Sequence, residues 1–189
     1  MIGRLRGVLV TRREERVCLD VGGVGYELAM TPRDLASLPG VGEEIVIHVH
    51  THVREDEISL YGFAAEADRD LYRILLTANG VGPKLAMALL ASLSAEEIIR
   101  AITGGDPDAL TLAPGVGKRG AQKIVLELAP KLAGQDVEIG GAGGLTPVRQ
   151  ALEGLGYSTA EINSVIGELD PDDPVEDQIK SALQSLGGR

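Results

Sequence analysis

Residues able to do chemistry are written twice in this chain. Asn79-Gly80-Val81-Gly82-Pro83-Lys84 returns as Pro114-Gly115-Val116-Gly117-Lys118-Arg119, 35 residues later, and Ala86/Ala121 and Leu89/Ile124 keep that offset. Two glycines around one small residue permit backbone angles and close approaches that a Cβ would block. An apolar helical run starts directly after each turn, so its first N–H groups lack intrahelical acceptors and present the positive end of the helix dipole. The matching ligand is a phosphate. Lys84, Lys118 and Arg119 add charge beside it, and Lys123 follows along the second helix. The valines between the glycines are expected to point back and lock the flanking helices together. The candidate binding set is Asn79, Gly80, Val81, Gly82 and Lys84 with Gly115, Val116, Gly117, Lys118, Arg119 and Lys123.

Helices must hold these turns, and the pattern supplies them. Apolar periodicity predicts helices over 66–78, 83–93, 95–103, 107–112 and 118–131, with Ser94 and Glu97 forming a capping box before the third. This is the helix-hairpin-helix pattern, which grips the DNA backbone without reading bases. A single Gly-x-Gly between helices is usually only a tight connection. Two copies in register, each followed by a cation, are hard to explain as packing. Sharper glycine motifs fail. Gly117-Lys118 resembles the end of a P-loop, but Leu112 stands where its first Gly belongs and Arg119 where Ser or Thr belongs. Gly22-Gly23-Val24-Gly25 continues as strand through Met30, so no helix N-terminus receives a dinucleotide. No nucleotide site, and hence no cofactor, is expected.

Residues 1–63 read as strands over 1–10, 16–21, 25–30, 44–53 and 57–63, with a short helix or turn at 32–38. Five short strands suggest a small closed barrel of the OB type. In the fourth, Ile45, Ile47, Val49, Thr51 and Val53 share one face, and Val46, His48, His50 and His52 the other. The histidine row is the chain's one metal signal. No further ligand is evident, so a half-exposed sheet face or subunit contact is the better reading and no metal is expected. Arg54-Glu55-Asp56-Glu57 joins the last two strands; from sequence alone it is an ordinary solvated turn.

Composition narrows the function classes. Aromatics make up 3% of the 189 residues, with no Trp, which argues against a single-strand binder built on base stacking. One cysteine, Cys18, excludes disulfide frameworks and Cys-based metal sites within one chain. No signal peptide or bilayer-length apolar run is seen, and a cytoplasmic protein without membrane partners is expected. The net charge of −10 is unevenly spread: −3 over residues 1–63, 0 over 64–132 and −7 over 133–189. The glycine turns therefore lie in the least acidic segment, and the local footprint governs nucleic-acid affinity.

A glycine-rich stretch at 133–145 reads as a flexible tether. Beyond it, helices are expected over 146–155, 159–169 (capped by Ser158) and 174–186, with Leu152, Leu155, Tyr157, Ile162, Ile166, Ile179 and Leu183 as the apolar stripe. An acidic mini-domain on a tether is a poor DNA binder and a good protein-docking module. The expected organisation is α+β and multidomain: a barrel at 1–63, a tandem hairpin domain at 64–132, the tether, and a three-helix unit at 146–189.

Taken together, these segments resemble the RuvA family, the Holliday-junction-binding subunits of bacterial branch-migration machines. The resemblance is carried by Met1-Ile2-Gly3-Arg4-Leu5-Arg6-Gly7, Val21-Gly22-Gly23-Val24-Gly25-Tyr26-Glu27, Val53-Arg54-Glu55-Asp56, Leu60-Tyr61-Gly62-Phe63, both glycine turns, and Leu155-Gly156-Tyr157, collinear over nearly the whole chain. It implies a homotetramer, sometimes doubled to an octamer, that holds a four-way junction open and square in recombination, repair and the SOS response. It implies that Glu55 and Asp56 form an acidic pin, four copies of which keep strands apart. It implies a C-terminal, UBA-like domain that docks the hexameric RuvB ATPase, with Leu152, Leu155, Tyr157 and Leu183 as contacts, and RuvC as the resolvase acting afterwards. The second turn departs from the first in opening its helix with Arg119 and Gly120, which leaves open which cation there touches phosphate. An enzyme with the same hairpins, such as a glycosylase, ligase or nuclease, would need a nucleophilic Lys, a catalytic Asp or a metal carboxylate cluster. None is found.

Overall fold

A computed structural model describes residues 1–133, 148, 151, 152, 154–157, 161, 162, 165, 169 and 174–187. The chain divides into two compact units, Met1–Val137 and Glu138–Arg189. Ala133, expected to open the tether at 133–145, instead ends the helix Lys118–Ala133; the rest of that stretch, the Ser158 cap, Ile166 and most of the 159–169 helix lie outside the described residues.

In the first unit, five strands close a barrel: β1 (Arg4–Arg12), β2 (Arg16–Val21), β3 (Val24–Ala29), β4 (Glu44–Val53) and β5 (Ile58–Phe63). Their order around the barrel is β1-β2-β3-β5-β4, antiparallel except where Ala29 of β3 meets Tyr61 of β5 in parallel. This is the OB-fold arrangement. Alternation decides which side faces in: Leu5, Leu9, Val17, Leu19, Leu28, Ile45, Ile47 and Val49 fill the interior. Gly22 and Gly23, both at positive φ, make the two-residue turn that pairs Val21 with Val24. β1 starts later than the pattern predicts because residues 1–3 are held differently. Ile2 bonds the Thr51 hydroxyl through both its N–H and its carbonyl, at 2.9 Å each. β1 also runs further, to Arg12, through a register shift between Leu9 and Thr11.

Helix α1 (Pro32–Ser37), N-capped by Thr31, fills the gap before β4. The rest of the unit is helical: α2 (Glu66–Leu75), α3 (Pro83–Ser92), α4 (Ala95–Thr103), α5 (Pro107–Leu110) and α6 (Lys118–Ala133). Ser94 and Glu97 form the expected capping box of α4. α2 and α5 stop at Leu75 and Leu110, short of the predicted 78 and 112. Tighter bonds replace the helix there: Ala78 N–H donates to Leu75 at 3.1 Å and Ala113 N–H to Leu110 at 3.3 Å. The helices share one core with Phe63 from the barrel, and Tyr72 of α2 is fully buried against it.

The histidine row of β4 is explained by that junction. His50 meets the edge of Tyr72 at 5.2 Å, so α2 covers the strand there, while His52 meets Tyr61 of the neighbouring strand β5 at 6.5 Å. Burial lowers the His50 pKa, with smaller contributions from Arg73 and His52. Among the described residues no group of His, Cys, Asp and Glu is placed to hold a metal ion.

In the second unit, α7 (Val175–Gly187) accompanies helical backbone at 148, 151, 152, 154, 161, 162 and 165. Val148, Leu152, Ile162, Val165 and Ala182 form its core. Among the described residues no helix is long and apolar enough to cross a membrane.

Candidate nucleic-acid interface

The sequence repeat is reproduced at the level of single hydrogen bonds. Val81 N–H donates to Ala78 and Val116 N–H to Ala113, at 3.1 Å in both cases. Gly82 then accepts from Ala86 at 3.0 Å and Gly117 from Ala121 at 2.9 Å, which starts the following helix. The two glycines of each turn do different work. Gly80 and Gly115 sit at φ of 90° and 88°, a backbone region open to glycine. Gly82 and Gly117 do not, and a Cβ on either would meet nothing within 4 Å. The first glycine makes the bend; the second keeps space open at the helix start.

Val81 and Val116 are each only 6% exposed. Their side chains lock the helices, as expected, and their N–H groups are already bonded. Neither offers a free amide, so their part in the expected binding set is to hold the turns. What remains points outward. The N–H groups of Gly80, Gly82 and Lys84, and of Gly115, Gly117, Lys118 and Arg119, have no acceptor among the described residues. Lys84, Lys118 and Arg119 are exposed and carry no ion pair among those residues. Amides and cations so combined attract an anion.

The turns also touch each other's supports. Glu127 on α6 accepts from the Asn79 N–H at 2.7 Å and pairs with Lys123 at 3.8 Å. Lys131 bonds the Thr77 hydroxyl at 2.8 Å. Lys123 is thus engaged in fixing the first turn as well as being half-exposed. Glu127 is not marked by any sequence pattern, since an acid four residues after a Lys reads as an ordinary helix pair.

Glu55 and Asp56 lie exposed at the tip of the β4–β5 connection, which Arg54 N–H closes on the Glu57 carbonyl at 2.8 Å. Neither acid has an ion-pair partner among the described residues. In the second unit, Leu152 is fully buried and is corrected from surface contact to core residue. Leu155 is the reverse: expected in the apolar stripe, it is 61% exposed. Tyr157 and Leu183 are half-buried against the core.

An OB-type barrel joined to two tandem hairpin turns with unpaired amides defines a helix-hairpin-helix protein. The comparisons with known proteins agree segment by segment. The family described as RuvA N terminal domain matches residues 1–62, SAM-like helix-hairpin-helix tandem matches 72–130, and RuvA, C-terminal domain matches 147–187. A relative from Rubrobacter xylanophilus is 40% identical over 195 residues, covering all of both chains. One from Stutzerimonas stutzeri is 37% identical over 98% of this chain and all of its own. One from Xanthobacter autotrophicus is 41% identical over 88% of this chain and 87% of its own. Each is named Holliday junction branch migration complex subunit RuvA. The chain belongs to the RuvA family.

Proposed function

We propose that the chain is a non-catalytic subunit that binds Holliday junctions, holds their arms open and square, and recruits the RuvB ATPase for branch migration in recombination and repair. The carrying observation is the pair of glycine turns whose outward amides and cations are unpaired while their valines are buried. Each turn takes one backbone phosphate, which positions DNA without reading sequence. One acidic chain makes a weak site. A fourfold assembly of copies presents eight turns on one face and sums their contributions, as linked sites do. RuvC acts on the junction thereafter.

The division of labour follows the proposed domains: barrel with acidic pin at 1–63, grip at 64–132, tether at 133–145, docking at 146–189. Leu155, Tyr157 and Leu183 are the docking candidates, since they retain exposed surface. Truncation after Gly144 tests the division. It is expected to keep junction binding within about twofold and to abolish stimulation of the motor's ATPase. A truncated protein that still drives branch migration contradicts the docking role.

A further inference from the structure

The end of the barrel and the first glycine turn face each other across a cleft of about 500 Å³. That is the size of a small-ligand pocket. Arg54 and Tyr61 line the barrel side, and Gly82 and Lys84 line the other. The charges in it are unequal in their freedom. Arg16 is paired with Glu27 at 3.8 Å, and Glu57 accepts from the Ser59 hydroxyl at 2.8 Å. Arg54 and Lys84 have no carboxylate partner among the described residues. Two unpaired cations against one remaining acid leave the cleft locally positive.

Arg54 is also oriented. Its Nε donates to His52 Nε2 at 3.2 Å, and the His52 ring stands edge-on to Tyr61 at 6.5 Å. This bond uses the inner N–H and leaves both terminal amino groups of the guanidinium without an acceptor among the described residues. A guanidinium held by its stem with its fork free is arranged for an oxyanion.

We propose that Arg54 is a second phosphate-binding group, and that the cleft carries the backbone of the same strand whose neighbouring phosphate sits on the first glycine turn. His52 is its positioning residue. The inference rests on the reading of that turn as a phosphate site. It has a geometric consequence: Arg54 directly precedes Glu55 and Asp56. A strand held by Gly82 and Arg54 is fixed on one side of the acids, so their repulsion acts on whatever would continue straight across.

The test uses four-way junctions in which single phosphates are replaced, one position at a time, by neutral methylphosphonates. Wild type is expected to lose about tenfold in affinity at each of two positions, the one on the first turn and a neighbour toward the crossover. Arg54→Gln is expected to be indifferent at the neighbour while keeping the loss at the turn. Its salt slope should also fall by about 0.9 for each phosphate left without its cation. Arg54→Lys should restore the slope but only part of the position-specific loss, because it returns the charge and not the fork. His52→Ala should shrink the neighbour's step; a step of full size removes His52 from the account. Sensitivity of wild type at the turn alone, or an Arg54→Gln profile identical to wild type, overturns the proposal and leaves the hairpins standing. Insensitivity at every position overturns the hairpin reading and this one with it.

Discussion

The two hairpins share a hydrogen-bond skeleton and differ in what surrounds it. In the first, Pro83 opens α3 without an N–H and is buried, Lys84 is the single cation, and Glu127 occupies the Asn79 amide. In the second, Lys118 keeps its N–H, Arg119 adds a second cation, and Gly120 stands where the first has Leu85. That last exchange is visible in the packing. The Leu85 methyl lies 3.3 Å from where a Cβ on Gly115 would sit, whereas nothing lies within 4 Å at Gly80. The first hairpin is a tied-down hub beside the barrel; the second is an open, cation-rich grip. The repeat in sequence here gives the same backbone, and the neighbours decide how many amides and cations each turn leaves free.

The largest effects should separate the two glycines within a hairpin. Gly117→Val, at open space and ordinary φ, is expected to melt within a few degrees of wild type and to lose about a hundredfold or more in junction affinity. Gly115→Ala, forced into positive φ beside Leu85, is expected to cost about 1–2 kcal/mol of stability instead. Melting curves and junction titrations of both variants check this. Equal affinity of Gly117→Val and wild type removes the phosphate site.

A smaller effect should separate one hairpin from the other. Lys118→Ala with Arg119→Ala is expected to lower the slope of log affinity against log salt by about 0.9 for each phosphate no longer neutralised, and Lys84→Ala by half as much or less. Titrations at several salt concentrations read this out. If Lys84→Ala costs as much as the double variant, the hairpins are equivalent grips.

The smallest effect lies where the barrel meets the hub. The folded-state pKa of His50 is lowered, so the unfolded chain takes up its proton first as pH falls. Stability should decline below about pH 6.5 and level off once the folded form is protonated as well. Because His50 is only half-buried, less than about 1 kcal/mol is at stake. His50→Phe keeps a ring against Tyr72, and its melting temperature should lose that part of the acid dependence. An acid dependence matching wild type would place the titration elsewhere.

Much of this is legible in the sequence because spacing encodes it. Two-residue alternation marks the barrel interior, and the 35-residue offset marks both turns with their buried valines. Strand and helix ends are less legible. Thr51 holding Ile2, and the tightened bonds after Leu75 and Leu110, are settled by partners that no local pattern names. The histidines illustrate the same limit. Their shared face is plain from alternation, but its cover, Tyr72, comes from a helix more than twenty residues on. Leu152 and Leu155 read as equivalent apolar positions; only packing makes one core and the other surface. Arg54 is hidden because it reads as part of an acidic turn, and its free fork follows from a bond to His52.

The central claim is that open glycine turns attract backbone while Glu55 and Asp56 reject continuous duplex. Four copies of the pair would set roughly eight negative charges against dense phosphates, which costs affinity and is tolerable only where the DNA has an open centre. The direct measurement is affinity for a four-way junction, a linear duplex and a single strand, at two salt concentrations, for wild type and for Glu55→Gln with Asp56→Asn. The junction should bind tightest to wild type. The variant should gain several-fold more on duplex than on junction, a gap that narrows at the higher salt. A wild type that binds duplex as tightly as junction, or a variant with an unchanged ratio, contradicts the account.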